Sequence, residues 1–160
     1  MKKMLSTAME WIRPLLISFC FFLAYYIGRD AISIFHILGP SIVIVMNGTI
    51  AFESLVLGEV GSEKIGYIPN RAYQIQSGLA NLAFAVTALF VLLFRWGREA
   101  DATIVIAMLL FILLSGFNHL RTAIQDKNLK LINLLRPVIS LVLTALLLPY
   151  LINSLLQKPM

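Results

Sequence analysis

Residues 77–94 read SGLANLAFAVTALFVLLF, with no charged side chain and only Ser77, Asn81 and Thr87 carrying polar groups. The run is continuous, without the in/out alternation of a membrane barrel strand. About 20 residues of helix cross a hydrocarbon core about 30 Å thick. The stretch and its flanks therefore predict a transmembrane helix over 75–95. The same kind of run recurs outward in both directions, over 41–58 and 12–28 on the N-terminal side and over 102–121 and 131–155 on the C-terminal side. The expected fold is all-α, a polytopic transmembrane helical bundle of five spans forming a single domain over residues 1–160.

The composition agrees. Hydrophobic residues make up 59% and charged residues 13%, and the mean hydropathy is +0.87. A soluble chain is roughly 25% charged, because polar side chains must cover its surface. This chain has too few for a soluble fold. The net charge of +5 would raise nucleic acid as a partner in a soluble protein. Here the basic residues sit in short connections, where they orient helices and meet anionic headgroups. There is no basic patch interleaved with aromatics, so the reading excludes a nucleic-acid partner. A single cysteine, Cys20, leaves no intrachain disulfide, CxxC pair or thiolate cluster.

Two segments allow alternatives. Lys2 and Lys3 followed by Leu15–Leu23 resemble a signal peptide, but Ala24 runs into Tyr25 and Tyr26 with no small-x-small cleavage site. The segment is read as a retained helix. Residues 31–38, before Gly39-Pro40, form either a short interfacial helix or the start of a long second helix kinked at Pro40. The polar stretch Glu59–Tyr73, with Gly61, Gly66 and Pro69-Asn70, reads as a loop.

Orientation follows from basic residues in connections. Five spans place Lys2, Lys3, Arg13, Lys64, Arg71, Arg121, Lys127, Lys130 and Arg136 on one side, nine in all, against Arg29, Arg95, Arg98 and Lys158, four, on the other. Four spans would split them seven to six and predict nothing. The expected protein lies in the inner or plasma membrane with the N-terminus cytoplasmic and the C-terminus outside.

Polar groups inside spans are expensive and need a reason. On the third span Gln74, Gly78, Asn81, Ala85 and Ala88 share one face, and Leu79, Leu82, Val86, Leu89 and Leu93 another. The small, polar face should meet other helices, because small residues let backbones approach and amides bond across the gap. Glu53 lies about 7 Å in from the inner end of the second span, at 1.5 Å per residue. Helix direction brings Gln74, Gln76, Asn81, Asn118, His119, Arg121, Asn133 and Arg136 to the same half of the bilayer. The expectation is an inner-leaflet polar cluster centred on Glu53, with His119 and Arg136 (or Arg121) as partners. It is either a structural ion pair with amides or a small ligand or proton-handling site.

Metal and catalysis find no support. The two histidines, His36 and His119, fall at opposite faces, which rules out one iron between them. No HExxH, GxSxG, Walker loop or GxGxxG is present. His36 reads as an interfacial side chain and Asp101 as a solvated loop charge.

Three runs, Ile65-Gly66-Tyr67-Ile68-Pro69, Gln74 to Leu82 and Gly116-Phe117-Asn118-His119-Leu120-Arg121, resemble the DoxX-like family of small integral membrane proteins, over residues 65 to about 152. The resemblance implies a four-helix core to which the first segment is an N-terminal addition. It also implies kinship with a membrane subunit of a thiosulfate:quinone oxidoreductase, although Gln76 stands where the family often carries an acid. The expected function is a helical bundle that binds a lipid, a quinone or a partner subunit without chemistry of its own. The alternatives are a quinone-linked redox subunit and a small transporter or channel acting as a homo-oligomer. No cofactor is predicted beyond a bound quinone or lipid.

Overall fold

The computed structural model describes residues 1–157, so Lys158, counted above for orientation, lies outside the described residues. Five helices are present and, among the described residues, no strand: α1 Lys2–Ile27, α2 Ala31–Ile65, α3 Arg71–Phe94, α4 Arg98–Gln125 and α5 Leu131–Leu156. All five are long and apolar enough to cross a membrane.

α2 is the organising element. α1, α3, α4 and α5 all pack on it, α4 also packs on α3 and α5, and α1 packs its backbone on α2 alone. α2 is a single helix of 35 residues with Pro40 inside it, so residues 31–38 belong to the second span. Its start is a capping box. The Asp30 carboxylate accepts from Ser33 N–H at 2.7 Å, and Asp30 N–H donates back to Ser33 Oγ at 3.1 Å.

The end of α2 corrects the expected loop over Glu59–Tyr73. A helix tolerates one glycine at a cost of about 1 kcal/mol, and Gly61 faces open space. The helix therefore runs through it and stops at Gly66, whose φ of +80° is left-handed. Gly66 and Tyr67 N–H groups donate back to Glu63 and Ser62 carbonyls. The remaining end carbonyls are capped from elsewhere. Asn128 and Asn133 both donate to Ile65 O, at 2.8 and 2.9 Å, and Lys130 donates to Glu63 O at 2.9 Å.

The expected face of α3 is the buried one: Gln74, Gly78, Asn81, Ala85 and Ala88 are buried, joined by Val91, while Leu79, Leu82, Val86, Leu89 and Leu93 are exposed. Gly78 meets Ser54 and Leu55 of α2, and Gly58 of α2 lies so close to Gln74 that a Cβ would collide with its amide. α4 and α5 approach closely where Gly116 faces Pro137, and Ser140 Oγ donates across to Ile112 O at 3.0 Å. The apolar core, with Phe35, Leu38, Ile42, Val105, Met108 and Leu147 at its centre, lies toward the start of α2. In lipid, close packing rather than water exclusion holds such a core together. Most of the buried polar groups collect toward the other end.

Candidate functional site

α1 begins well before the expected residue 12, so Arg13 lies inside a helix and not at its mouth. This changes the site. Pro14 loses only the bond that its N–H would have made to Glu10 O, and the helix passes through it. Arg13 then faces α2. Its Nη2 approaches Glu53 Oε2 at 2.6 Å, and its Nε donates to Thr49 Oγ1 at 2.8 Å. Thr49 Oγ1 in turn donates to Val45 O at 2.7 Å. One turn earlier, Glu10 meets Lys64 Nζ at 2.6 Å.

A second cluster joins α4, α5 and the α2–α3 connection. Arg136 Nη1 lies 2.6 Å from His119 Nε2, and Tyr67 Oη lies 3.0 Å from His119 Nδ1 with the two rings stacked. The proton positions follow from the donors. Arginine has no acceptor and stays charged, so His119 Nε2 must accept. The proton is then on Nδ1, which donates to Tyr67 Oη. An imidazolium would aim a second N–H at the guanidinium, so His119 is held neutral by its neighbour. Both clusters lie toward the end of the bundle where α1 and α5 begin. Among the described residues, Arg136 has no carboxylate within ion-pair distance, and Glu53 is taken by Arg13.

Four buried amides, Asn47, Gln74, Asn81 and Asn133, are left half satisfied. Asn47 and Asn81 each donate to the carbonyl one turn back, Val43 O and Ser77 O, while their Oδ1 atoms have no partner. Gln74 donates to Ser62 Oγ at 2.9 Å, and its Oε1 is likewise unpartnered.

At the opposite end, His36 of α2 meets Asp101 of α4, Nδ1 to the two carboxylate oxygens at 3.0 and 3.1 Å. Asp101 is only 1% exposed. The expected solvated loop charge is therefore a buried helical one, since α4 begins at Arg98 and packs its first turn on α2.

Residues 29–158 match the model of DUF6790, described as a family of unknown function. The chain belongs to the DUF6790 family. The match begins just after α1, and the DoxX-like resemblance of residues 65 to 152 has no counterpart in a family match. No curated protein and no solved structure matches the chain.

In this DUF6790 chain the residues expected to cluster divide. Glu53, His119 and Arg136 share one end of the bundle, with Glu53 bonded to Arg13 in place of His119, Arg136 or Arg121. Gln74 and Asn81 are buried on the α2–α3 seam. Gln76, Asn118 and Arg121 are exposed. Arg121 Nε donates to Gln125 within its own helix, and Asn118 is known here only for its backbone oxygen, which accepts from Thr122. The reason is rotation about the helix axis: one or two residues from a buried position is 100–200° around the helix, which points these side chains away from α2. Arg13 and Tyr67 went unrecognised. The signal for Arg13 was the spacing Ser6, Glu10, Arg13, three polar groups on one face of an otherwise apolar helix.

Proposed function

We propose that this protein binds an acidic amphiphile at the end where α1 and α5 begin, with the headgroup against Arg136 and the tail lying in the lipid between α1 and α5. The observation that carries the reading is the charge imbalance. Glu53 is paired with Arg13, and among the described residues the only close partner of Arg136 is a neutral imidazole. An uncompensated cation at membrane depth is costly and calls for an anion. Access is lateral, because the backbones of α1 and α5 do not pack on each other. They meet through side chains, Tyr25 Oη to Tyr150 Oη at 2.7 Å near the far end. The excess of basic residues makes this end the cytoplasmic one, where acidic lipids concentrate.

The test is native mass spectrometry of the whole chain in maltoside detergent with added phosphatidylglycerol and, separately, phosphatidylcholine. The wild type retains the acidic lipid in preference. Arg136→Gln abolishes that preference, while Glu53→Gln, which frees Arg13, increases retention. Equal retention of the acidic lipid by the wild type and both variants would overturn the proposal. A reporter joined to the C-terminus and found on the cytoplasmic side would overturn the orientation.

A further inference from the structure

The opposite end of the bundle holds a cleft of about 720 Å³ between the α1–α2 connection, the start of α2, the α3–α4 turn and the start of α4. We infer that it is a second binding site, specific for a phosphate ester, distinct from the Arg136 end and independent of it.

Three arginines line the cleft from three separate elements: Arg29 from the α1–α2 connection, Arg95 from the end of α3 and Arg98 from the start of α4. The two carboxylates in the lining are already engaged. Asp30 accepts from Ser33 N–H as the cap of α2, and Asp101 faces His36. Among the described residues neither forms an ion pair with an arginine of the cleft, and the side chains of Arg29 and Arg95 make no hydrogen bond. Arg98 is held by Glu99 and by Gln157 O.

Arg95 ends α3 with φ of 49°. One further feature points to a ligand. His36 faces Asp101 through Nδ1, so its Nε2, with no protein partner among the described residues, is oriented at the cleft wall. A phosphate ester supplies what the lining lacks, an anionic group for the arginines and an oxygen for Nε2. The volume exceeds one phosphate, and Ile32 and Ile37 in the wall suit the esterified portion. That portion belongs either to a membrane lipid or to a soluble ester, and the chemistry is shared.

The test uses the whole chain in maltoside micelles, which contain no phosphate. Glycerol 3-phosphate is titrated calorimetrically, and short-chain phosphatidic acid is added for native mass spectrometry. Binding of both identifies a soluble ester site, and binding of the lipid alone identifies a headgroup site. The lipid is added to the Arg136→Gln protein, so that the acidic-lipid site at the other end does not contribute. In that background, and for glycerol 3-phosphate in the wild-type chain, Arg29→Gln with Arg95→Gly weakens binding at least tenfold, and His36→Phe weakens it less. Arg95→Gly removes a left-handed side chain and so keeps the fold. Wild-type protein that binds neither probe, or an Arg29→Gln/Arg95→Gly protein that binds like the wild type, overturns the inference.

Discussion

Replacing Glu53 by Gln removes the carboxylate that Arg13 approaches at 2.6 Å. The side chains of the pair are 23% and 25% exposed. It is therefore neither a solvated bridge, worth about 0–1 kcal/mol, nor a fully dry pair whose breakage costs about 3–5 kcal/mol. Two features push the loss toward the upper value. The exposed quarter lies at membrane depth rather than in bulk water, and a second guanidinium, Arg136, lies toward the same end of the bundle. Without Glu53, Arg13 is left with no carboxylate partner, so Glu53→Gln should cost about 2–4 kcal/mol. Arg13→Gln should cost less, about 1–2 kcal/mol, because Arg136 remains as a counter-charge for Glu53. The double variant has two amides able to bond and only Arg136 left charged, so it should be more stable than Glu53→Gln alone. Unfolding by sodium dodecyl sulfate in mixed micelles, followed through Trp11 and Trp96 fluorescence, gives all four corners of the cycle. The expected coupling is about 1.5–3 kcal/mol. A coupling under about 0.5 kcal/mol, or an Arg13→Gln loss larger than that of Glu53→Gln, would refute the assignment of Arg13 as the partner.

Three other outcomes follow from local geometry. Gly58→Ala pushes a Cβ into the Gln74 amide and should destabilise by about 1–3 kcal/mol. Gly61→Ala, three residues on in the same helix and in open space, should stabilise by about 0.5–1 kcal/mol, and the same denaturation assay reads both signs. Asn133→Ala removes a buried donor to Ile65 O at a cost of about 1–2 kcal/mol, visible as faster amide exchange over the 66–70 connection. The Ser33 N–H bond holds the Asp30 carboxyl below its usual range. The cap on α2 is then complete at neutral pH and is lost as pH falls below the ordinary carboxylate value of 3.8. Protection of the amides of residues 31–34, taken relative to the intrinsic exchange rate at each pH, should fall on acidification in the wild type and be low at every pH in Asp30→Ala.

The success on α3 and the failure on α1 have one physical origin. Hydropathy reports depth, because a bilayer is a field that varies along one direction only. It placed Glu53, His119 and Arg136 at the same level, as helix direction requires. The face of α3 was also legible, because Gln74, Gly78, Asn81, Ala85 and Ala88 are small or polar against a wall of leucine, and only one rotation satisfies both lipid and neighbour. α1 offered a misleading boundary. The apolar run starts only near residue 12, so Arg13 counts among the basic residues of the connections, although α1 begins at Lys2 and a proline inside a helix costs only one bond and a local distortion. Gly61 misled in the same way, as a breaker that the helix absorbs.

Partner choice is a different kind of problem. Arg13, Arg121 and Arg136 all lie near the depth of Glu53, on three different helices, and nothing in depth separates them. Rotation about each axis decides, and rotation depends on which seams close. α1 closes on α2 alone, so the polar face of α1 has no other helix to meet and must find its counter-charge on α2. α5 closes on α4 and α2, which turns Arg136 toward His119. His36 and Asp101 obey the same logic, 65 positions apart in sequence and joined only because the first turn of α4 lies against α2. An ion pair in such a bundle is thus a consequence of the packing order around α2. Among the described residues, Arg136 at one end and Arg29 and Arg95 at the other are three of the cations that this packing order leaves without a carboxylate.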